Sequence, residues 1–306
     1  MAHGVRWAAL VVAVAALVAV AMVIAMAMSP EPPESPEPPE SSRSATERTR
    51  GDPGGRAPSS VLVIAHRGAS AYAPHDTVAA AEEAVARGAE ALEVDVRQTR
   101  DGHLVALFAP TLAPTTDVEQ VYPGRAPWRV ESFTLAEIRR LDAGSWFAPR
   151  FRGERVPTLD QIMSSVEGSD VRVVIEVKTP GRYPGIAERV AREVRRDPGR
   201  YLEIECFAAG FLRRLASRNL PVDLGLTGTP PASRLPGVAS FADAVNPQAS
   251  SVEAAYVDRA HRAGLEVKVW SLNTVASMRR ALDLGVDGIY THRPDMLTGL
   301  LDEQAR

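Results

Sequence analysis

Two carboxylates, Glu93 and Asp95, lie in the run Ala91-Leu-Glu-Val-Asp-Val-Arg97. In an extended chain alternate side chains share a face, so both point the same way. Glu176, in Val173-Val-Ile-Glu-Val-Lys178, offers a third from a second such run. Hard divalent cations take oxygen ligands from several elements, and three anions in one low-dielectric cavity repel strongly without a cation. The competing arrangement pairs these carboxylates with Arg97 and Lys178 as salt bridges. A further apolar run ends in His66-Arg67-Gly68. There the imidazole could transfer protons, the guanidinium could grip a phosphate bidentately, and the glycine would let the chain turn sharply. A buried histidine with purely structural partners is the alternative for His66.

These groups must be positioned by the alternation that starts at residue 61. Short β-branched runs at 61–66, 91–97, 104–108, 171–178, 201–207, 222–226, 242–246, 265–270 and 287–290 alternate with amphipathic stretches such as 76–87, 184–196, 209–218, 251–263 and 274–284. Strands separated by helices predict a parallel sheet. Nine strands are one too many for a (β/α)₈ barrel, but only a short segment with Asp101-Gly102 separates the second from the third. A parallel crossover needs about a dozen residues, so the third strand returns antiparallel and eight remain. Residues 110–157 read as an insertion. Leu92, Val94 and Val96, like Val173, Ile175 and Val177, form wholly apolar faces for the helices. His66, Glu93, Asp95, Arg97, Glu176, Lys178 and Trp270 therefore point inward, towards the strand ends where barrel enzymes build their sites.

With 45% hydrophobic residues, 24% charged and a net charge of −3, the composition is that of an ordinary globular protein, and no basic stripe suggests nucleic acid. The single cysteine, Cys206, excludes an internal disulfide and reads as a packed thiol. Residues 7–28 carry no charge, and 22 residues suffice for a membrane-spanning helix. Arg6 precedes this segment and Glu31, Glu34, Glu37 and Glu40 follow it, an asymmetry that places the chain beyond it outside the cytoplasm. It is a transmembrane anchor or, because Ala25-Met26-Ala27 resembles a cleavage site, a signal peptide. The barrel domain is then membrane-tethered or secreted. Residues 29–60, with eight prolines, read as an extended linker.

Taken together, the motifs resemble the glycerophosphodiester phosphodiesterase family, whose barrel is of the phospholipase C-like type. They are Ile64-Ala-His-Arg-Gly-Ala-Ser-Ala-Tyr-Ala-Pro-His-Asp-Thr77, Leu92-Glu-Val-Asp-Val96, Thr99-Arg-Asp-Gly102, Leu141-Asp-Ala-Gly-Ser-Trp-Phe147, Val174-Ile-Glu-Val-Lys178, Val269-Trp-Ser-Leu-Asn273 and Leu284-Gly-Val-Asp-Gly-Ile-Tyr-Thr291. The resemblance spans about residues 61–300. It implies metal-dependent hydrolysis of a small-molecule phosphodiester, with His66 catalytic and Arg67 on phosphate. It also implies Ca²⁺ or Mg²⁺ on Glu93, Asp95 and Glu176, Lys178 on phosphate, and Trp270 against the alcohol. A phospholipase D-like lyase fits the Val269–Asn273 segment less well.

Several positions depart from the family pattern. Phe108-Ala109 stands where a second histidine and an aspartate are usual, and phenylalanine cannot transfer a proton. A two-residue turn at Asp101-Gly102 would set Arg100 opposite His103 and Phe108 opposite Asp95, beside the metal ligands. His75 and Asp76 replace glutamate and asparagine, Cys206-Phe207-Ala208 replaces serine-phenylalanine-aspartate, and His292 replaces aspartate. His75 is the candidate substitute for the missing imidazole. His292 and His103 are weaker candidates, with His103 near the hairpin tip. Two functions follow: a phosphodiesterase of glycerophospholipid metabolism impaired by Phe108, or an inactive relative that binds an envelope ligand or partner.

Overall fold

The computed structural model describes residues 61–304, so the expected anchor or signal segment and the proline-rich linker lie outside the described residues. Its strands are β1 (Leu62–Ala65), β2 (Ala91–Gln98), β3 (Leu104–Ala106), β4 (Arg172–Val177), β5 (Tyr201–Cys206), β6 (Asp223–Thr227), β7 (Ala244–Asn246), β8 (Glu266–Val269) and β9 (Gly288–Thr291). Eight of them are parallel and close a ring, β1-β2-β4-β5-β6-β7-β8-β9, with β9 pairing back onto β1. The odd strand is the one expected. β3 runs antiparallel along the edge of β2 that β1 leaves free, since β1 reaches only Ala91 and Leu92.

Among the described residues the longer helices are α1 (Val78–Ala86), α2 (Leu159–Ser165), α3 (Ile186–Arg196), α4 (Ala209–Ala216), α5 (Ala254–Arg262), α6 (Val275–Asp283) and α7 (Pro294–Gln304). Threonines cap three of them: the side chains of Thr77, Thr158 and Thr274 accept from first-turn amides of α1, α2 and α6. Such caps satisfy donors that the helix itself leaves orphaned.

The alternation of side chains sorts the barrel as expected. Leu92, Val94, Val96, Val173, Ile175 and Val177 pack outward in one core with residues such as Ala84, Ile162, Val190 and Leu212. Each fully buried side chain of this kind contributes about 1.5–3 kcal/mol. A one-residue slip of β2 would instead drive Glu93 and Asp95 among the helices, so the register is strongly specified. Inside the barrel, Leu62, Ile64, Ala91, Val174, Leu202 and Tyr290 form an apolar cluster. The polar side chains accompany it on the same inner faces.

The insertion after β3 has a core of its own, built from Leu107, Leu112, Val118, Val130, Phe133, Ile138, Leu141 and Val156. Asp142 ties its last loop, accepting from the backbone N–H groups of Gly144, Ser145 and Gly153 at 3.0, 2.7 and 2.7 Å.

The β2–β3 hairpin corrects the expected register by one residue. Val96 pairs with Ala106 and Gln98 with Leu104, and the Thr99 amide donates to the His103 carbonyl at 2.9 Å. The loop is therefore three residues, Arg100-Asp101-Gly102, closed by Gly102 at φ +88°. Asp101 stabilises it by accepting from the Thr99 hydroxyl, whose oxygen accepts from the His103 amide. This is the geometry of a three-residue hairpin with glycine in the left-handed position. Leu107, not Phe108, consequently lies opposite Asp95, its amide donating to the Asp95 carbonyl at 2.8 Å. Phe108 follows the end of the ladder, where it is free to turn back over the barrel mouth.

Candidate active site

The ends of β1, β2 and β4 carry the polar residues. Carboxylate oxygens of Glu93, Asp95 and Glu176 lie within 4.8 Å of one another, all buried. Around them stand two cations. Arg67 Nε is 2.7 Å from Asp95, while Lys178 Nζ is 3.2 Å from Asp95 and 2.6 Å from Glu176. The salt-bridge arrangement expected for these carboxylates is thus half right. Lys178 takes part, but Arg97 does not: it donates to the carbonyls of Leu107 and Phe108 and to the Thr179 and Tyr183 hydroxyls. Arg97 pins the segment that carries Phe108.

Charge in this pocket is unevenly shared. Burial works against ionising Asp95, yet Lys178 and Arg67 hold its carboxyl below the usual range. Burial, followed by the charges of Asp95 and Glu176, pushes Glu93 well above it. Glu176 is also raised, chiefly by burial. Glu93 Oε2 accepts from the Arg67 amide at 2.8 Å, whereas its Oε1 is buried with no hydrogen-bond partner. Buried polar atoms are rarely left so. Hard oxygen donors from two strands, excess negative charge and an orphaned carboxylate oxygen fit a divalent cation.

The backbone is shaped for this convergence. Arg67 adopts φ +57° and Gly68 φ +79°, and a Cβ on Gly68 would lie 2.6 Å from backbone atoms of Ala80. Non-glycine residues in left-handed conformations cost energy and cluster at functional sites. Asp76, at φ +59°, and Thr179, at φ +44°, flank the same pocket. The Asp76 carboxylate accepts from the Asp95 amide at 3.1 Å, fixing β2 from the first loop.

His66 is buried, with Nε2 3.8 Å from Glu93 and Nδ1 3.0 Å from His292 Nε2. Burial, then the charge of Arg67, pushes its imidazolium well below the ordinary histidine range. His75 stands at the rim with Nδ1 3.2 Å from Asp76 and its ring against Phe108 and Trp146. The Arg67 guanidinium lies 3.5 Å over the Phe108 ring, and Lys178 Nζ 5.1 Å from it. Phe108 therefore lies against both cations of the site despite the corrected hairpin register. Trp270 reaches the mouth from the end of β8, its indole N–H donating to the Asn246 carbonyl and its ring edge-on to exposed Phe207.

All eight expected residues are accounted for: His66, Arg67, Glu93, Asp95, Glu176 and Lys178 form one cluster, and His75 and Trp270 lie on its rim. His103 is exposed beside Asp101 at the hairpin loop, and Cys206 is a packed thiol, pushed up to about 12 by burial. Sequence reasoning did not foresee the contact between His66 and His292, nor the buried network behind the site. In that network Tyr290 donates to Glu205, Asn246 bridges Glu203 and Glu205, and Lys268 pairs with Glu203. Ionisable residues spaced two apart in β5 (Glu203, Glu205) were the available signal for it.

The sequence model of the Glycerophosphoryl diester phosphodiesterase family matches residues 66–296. The chain belongs to this family. Among its relatives, a glycerophosphodiester phosphodiesterase of Bacillus subtilis is 30% identical over 78% of this chain and 86% of its own length. One from Caldanaerobacter subterraneus is 32% identical over 78% and 97%. The solved glycerophosphodiester phosphodiesterase of Agrobacterium tumefaciens superposes with a TM-score of 0.66 at 30% identity, covering 78% of this chain and all of that one. A phosphodiesterase of Oleispira antarctica, solved with the product sn-glycerol-3-phosphate, gives a TM-score of 0.68 at 25% identity, covering 79% and 96%. The (β/α)₈ barrel is the fold of this glycerophosphodiester phosphodiesterase family.

Proposed function

We propose that this family member is a metal-dependent phosphodiesterase of glycerophosphodiesters or related lipid-derived diesters, slowed by Phe108. The observation that carries the reading is the three-carboxylate cluster faced by Arg67 and Lys178. Glu93, Asp95 and Glu176 would hold Ca²⁺ or Mg²⁺, which when bound supplies Lewis-acid polarisation of a phosphoryl oxygen. Arg67 engages Asp95 through Nε, which leaves its terminal nitrogens for phosphate oxygens. Lys178 adds a point charge from β4. His66 presents Nε2 to the same cavity and serves a reacting oxygen. His75, braced by Asp76, is the further imidazole proposed for the second role, from the rim of the site. Trp270 and Phe207 offer apolar faces to the alcohol portion.

The apolar segment at residues 7–28 and the charge asymmetry around it support a barrel outside the cytoplasm, tethered to the membrane or secreted. Hydrolysis of glycerophosphocholine and of a chromogenic diester, each with Ca²⁺, Mg²⁺ or chelator, tests the reading. Activity that chelator leaves untouched would remove the metal from it. Metal binding without turnover of any diester would favour a ligand-binding role, for which Phe108 against Arg67 is the supporting observation.

A further inference from the structure

We propose that His292 is a positioning residue that fixes neutral His66 with its proton on Nε2, making it a hydrogen-bond donor into the carboxylate cavity. The Asn273 side-chain oxygen accepts from the His292 amide at 2.8 Å and from the Thr291 hydroxyl at 3.3 Å. Two donors on that oxygen fix which way the amide faces, so the Asn273 nitrogen is the atom 3.4 Å from His292 Nδ1. An amide nitrogen only donates, hence His292 Nδ1 carries a lone pair and its proton is on Nε2. That Nε2–H lies 3.0 Å from His66 Nδ1, which must accept it. Neutral His66 then has one place left for its own proton, Nε2, on the side facing Glu93 at 3.8 Å.

Burial, which pushes the His292 imidazolium down to about 4, agrees with a neutral ring there. The two rings lie 21° from coplanar with centroids 5.1 Å apart, as an in-plane hydrogen bond between their edge nitrogens requires. An aspartate at this position would do the opposite. It can only accept, so it would draw the His66 proton to Nδ1 and leave a lone pair on Nε2, the setting of a base. With histidine at 292, His66 instead stabilises negative charge on a reacting oxygen by donating a hydrogen bond, and no proton leaves it. The base role passes to an imidazole held in the other sense. His75 is held in that sense, since its Nδ1 faces the Asp76 carboxylate and its Nε2 is left to accept. The catalytic part of this inference rests on the phosphodiesterase reading; the tautomer does not.

The test is a nitrogen NMR measurement on the full chain labelled with ¹⁵N-histidine, with His66→Gln used to assign the His66 signals. Nε2 of His66 should resonate as the protonated nitrogen and Nδ1 as the bare one. His292→Asp should reverse the two, and His292→Gln, which can still donate, should preserve them. On a diester that the wild type hydrolyses, His292→Asp should lower kcat about 10²-fold, the cost of losing one preorganised donor, with KM nearly unchanged; His292→Gln should restore most of it. A wild-type protein with its His66 proton on Nδ1 overturns the inference without need of any variant. An unreversed tautomer in folded His292→Asp overturns the role of His292. The expected tautomers without hydrolysis of any diester would count against the phosphodiesterase reading alone.

Discussion

Glu93→Gln separates metal binding from folding. The substitution keeps shape, removes one of three crowded negative charges, and leaves the Arg67 amide an acceptor in the side-chain carbonyl. Without metal the variant should therefore be as stable as wild type or slightly more so, because burial and the neighbouring carboxylates already oppose a charge on Glu93. With metal the order reverses. A ligand at 100 times its Kd stabilises the folded state by about 2.7 kcal/mol. For a domain of this size, about 1 kcal/mol moves Tm by roughly 2–4 °C. Saturating Ca²⁺ or Mg²⁺ should thus raise wild-type Tm by about 5–11 °C, and Glu93→Gln should lose most of that rise. Thermal melts in chelator and across a metal titration provide the measurement. An equal metal-induced shift in wild type and in Glu93→Gln/Asp95→Asn would refute the assignment of these carboxylates as the site.

Phe108→His/Ala109→Asp should raise metal-dependent hydrolysis, by up to about 10²-fold, and the gain should vanish with His66→Ala; kcat on a chromogenic diester reads both, and no gain in a metal-binding variant would mean Phe108 is not the defect. His75→Ala should abolish most wild-type turnover if His75 has taken over the second role, whereas unchanged kinetics would return it to the status of a rim residue. Gly68→Ala should destabilise the protein by more than 1 kcal/mol in denaturant melts, since its Cβ meets Ala80 backbone at 2.6 Å and φ is +79°. Asp142→Asn should flatten the acid limb of stability: backbone N–H groups hold Asp142 at about 2 although burial opposes this, so its contribution is present above about pH 4 and lost as pH falls towards 2. A wild-type melting curve flat between pH 4 and 2 would contradict that.

Much of this was legible in the sequence because it follows from periodicity. Strict alternation in 91–97 and 173–178 sorted Glu93, Asp95 and Glu176 to one side, and no packing detail was needed. The hairpin was recognised from Asp101-Gly102, but its register was not, because a side-chain hydroxyl decides it. Thr99 and Asp101 close a three-residue loop where the dipeptide alone suggested two. Phe108 reaches the site in either register, since the ladder ends before it. His292 stands out in the sequence as a departure, but its consequence does not, because 226 residues separate it from His66. Only closure of β9 against β1 makes them neighbours, and a sequence does not reveal which side chains meet across such a seam. Asp76 escaped for a related reason. Its hold on the Asp95 amide depends on a left-handed backbone that the residue type only permits.

That seam divides the site along the chain. All three carboxylates, with Arg67 and Lys178, lie between residues 67 and 178, so a chain emerging from the ribosome carries them early. The strand that brings His292 to His66 is the last of the barrel, ending at Thr291. Until it docks, nothing directs the first histidine. A chain interrupted before residue 288 keeps Arg67, Glu93, Asp95, Glu176 and Lys178 but lacks His292, the partner proposed to set the His66 imidazole. The acidic cluster therefore draws on β2 and β4, whereas the orientation of His66 draws on the last strand of the barrel, through closure of β9 on β1.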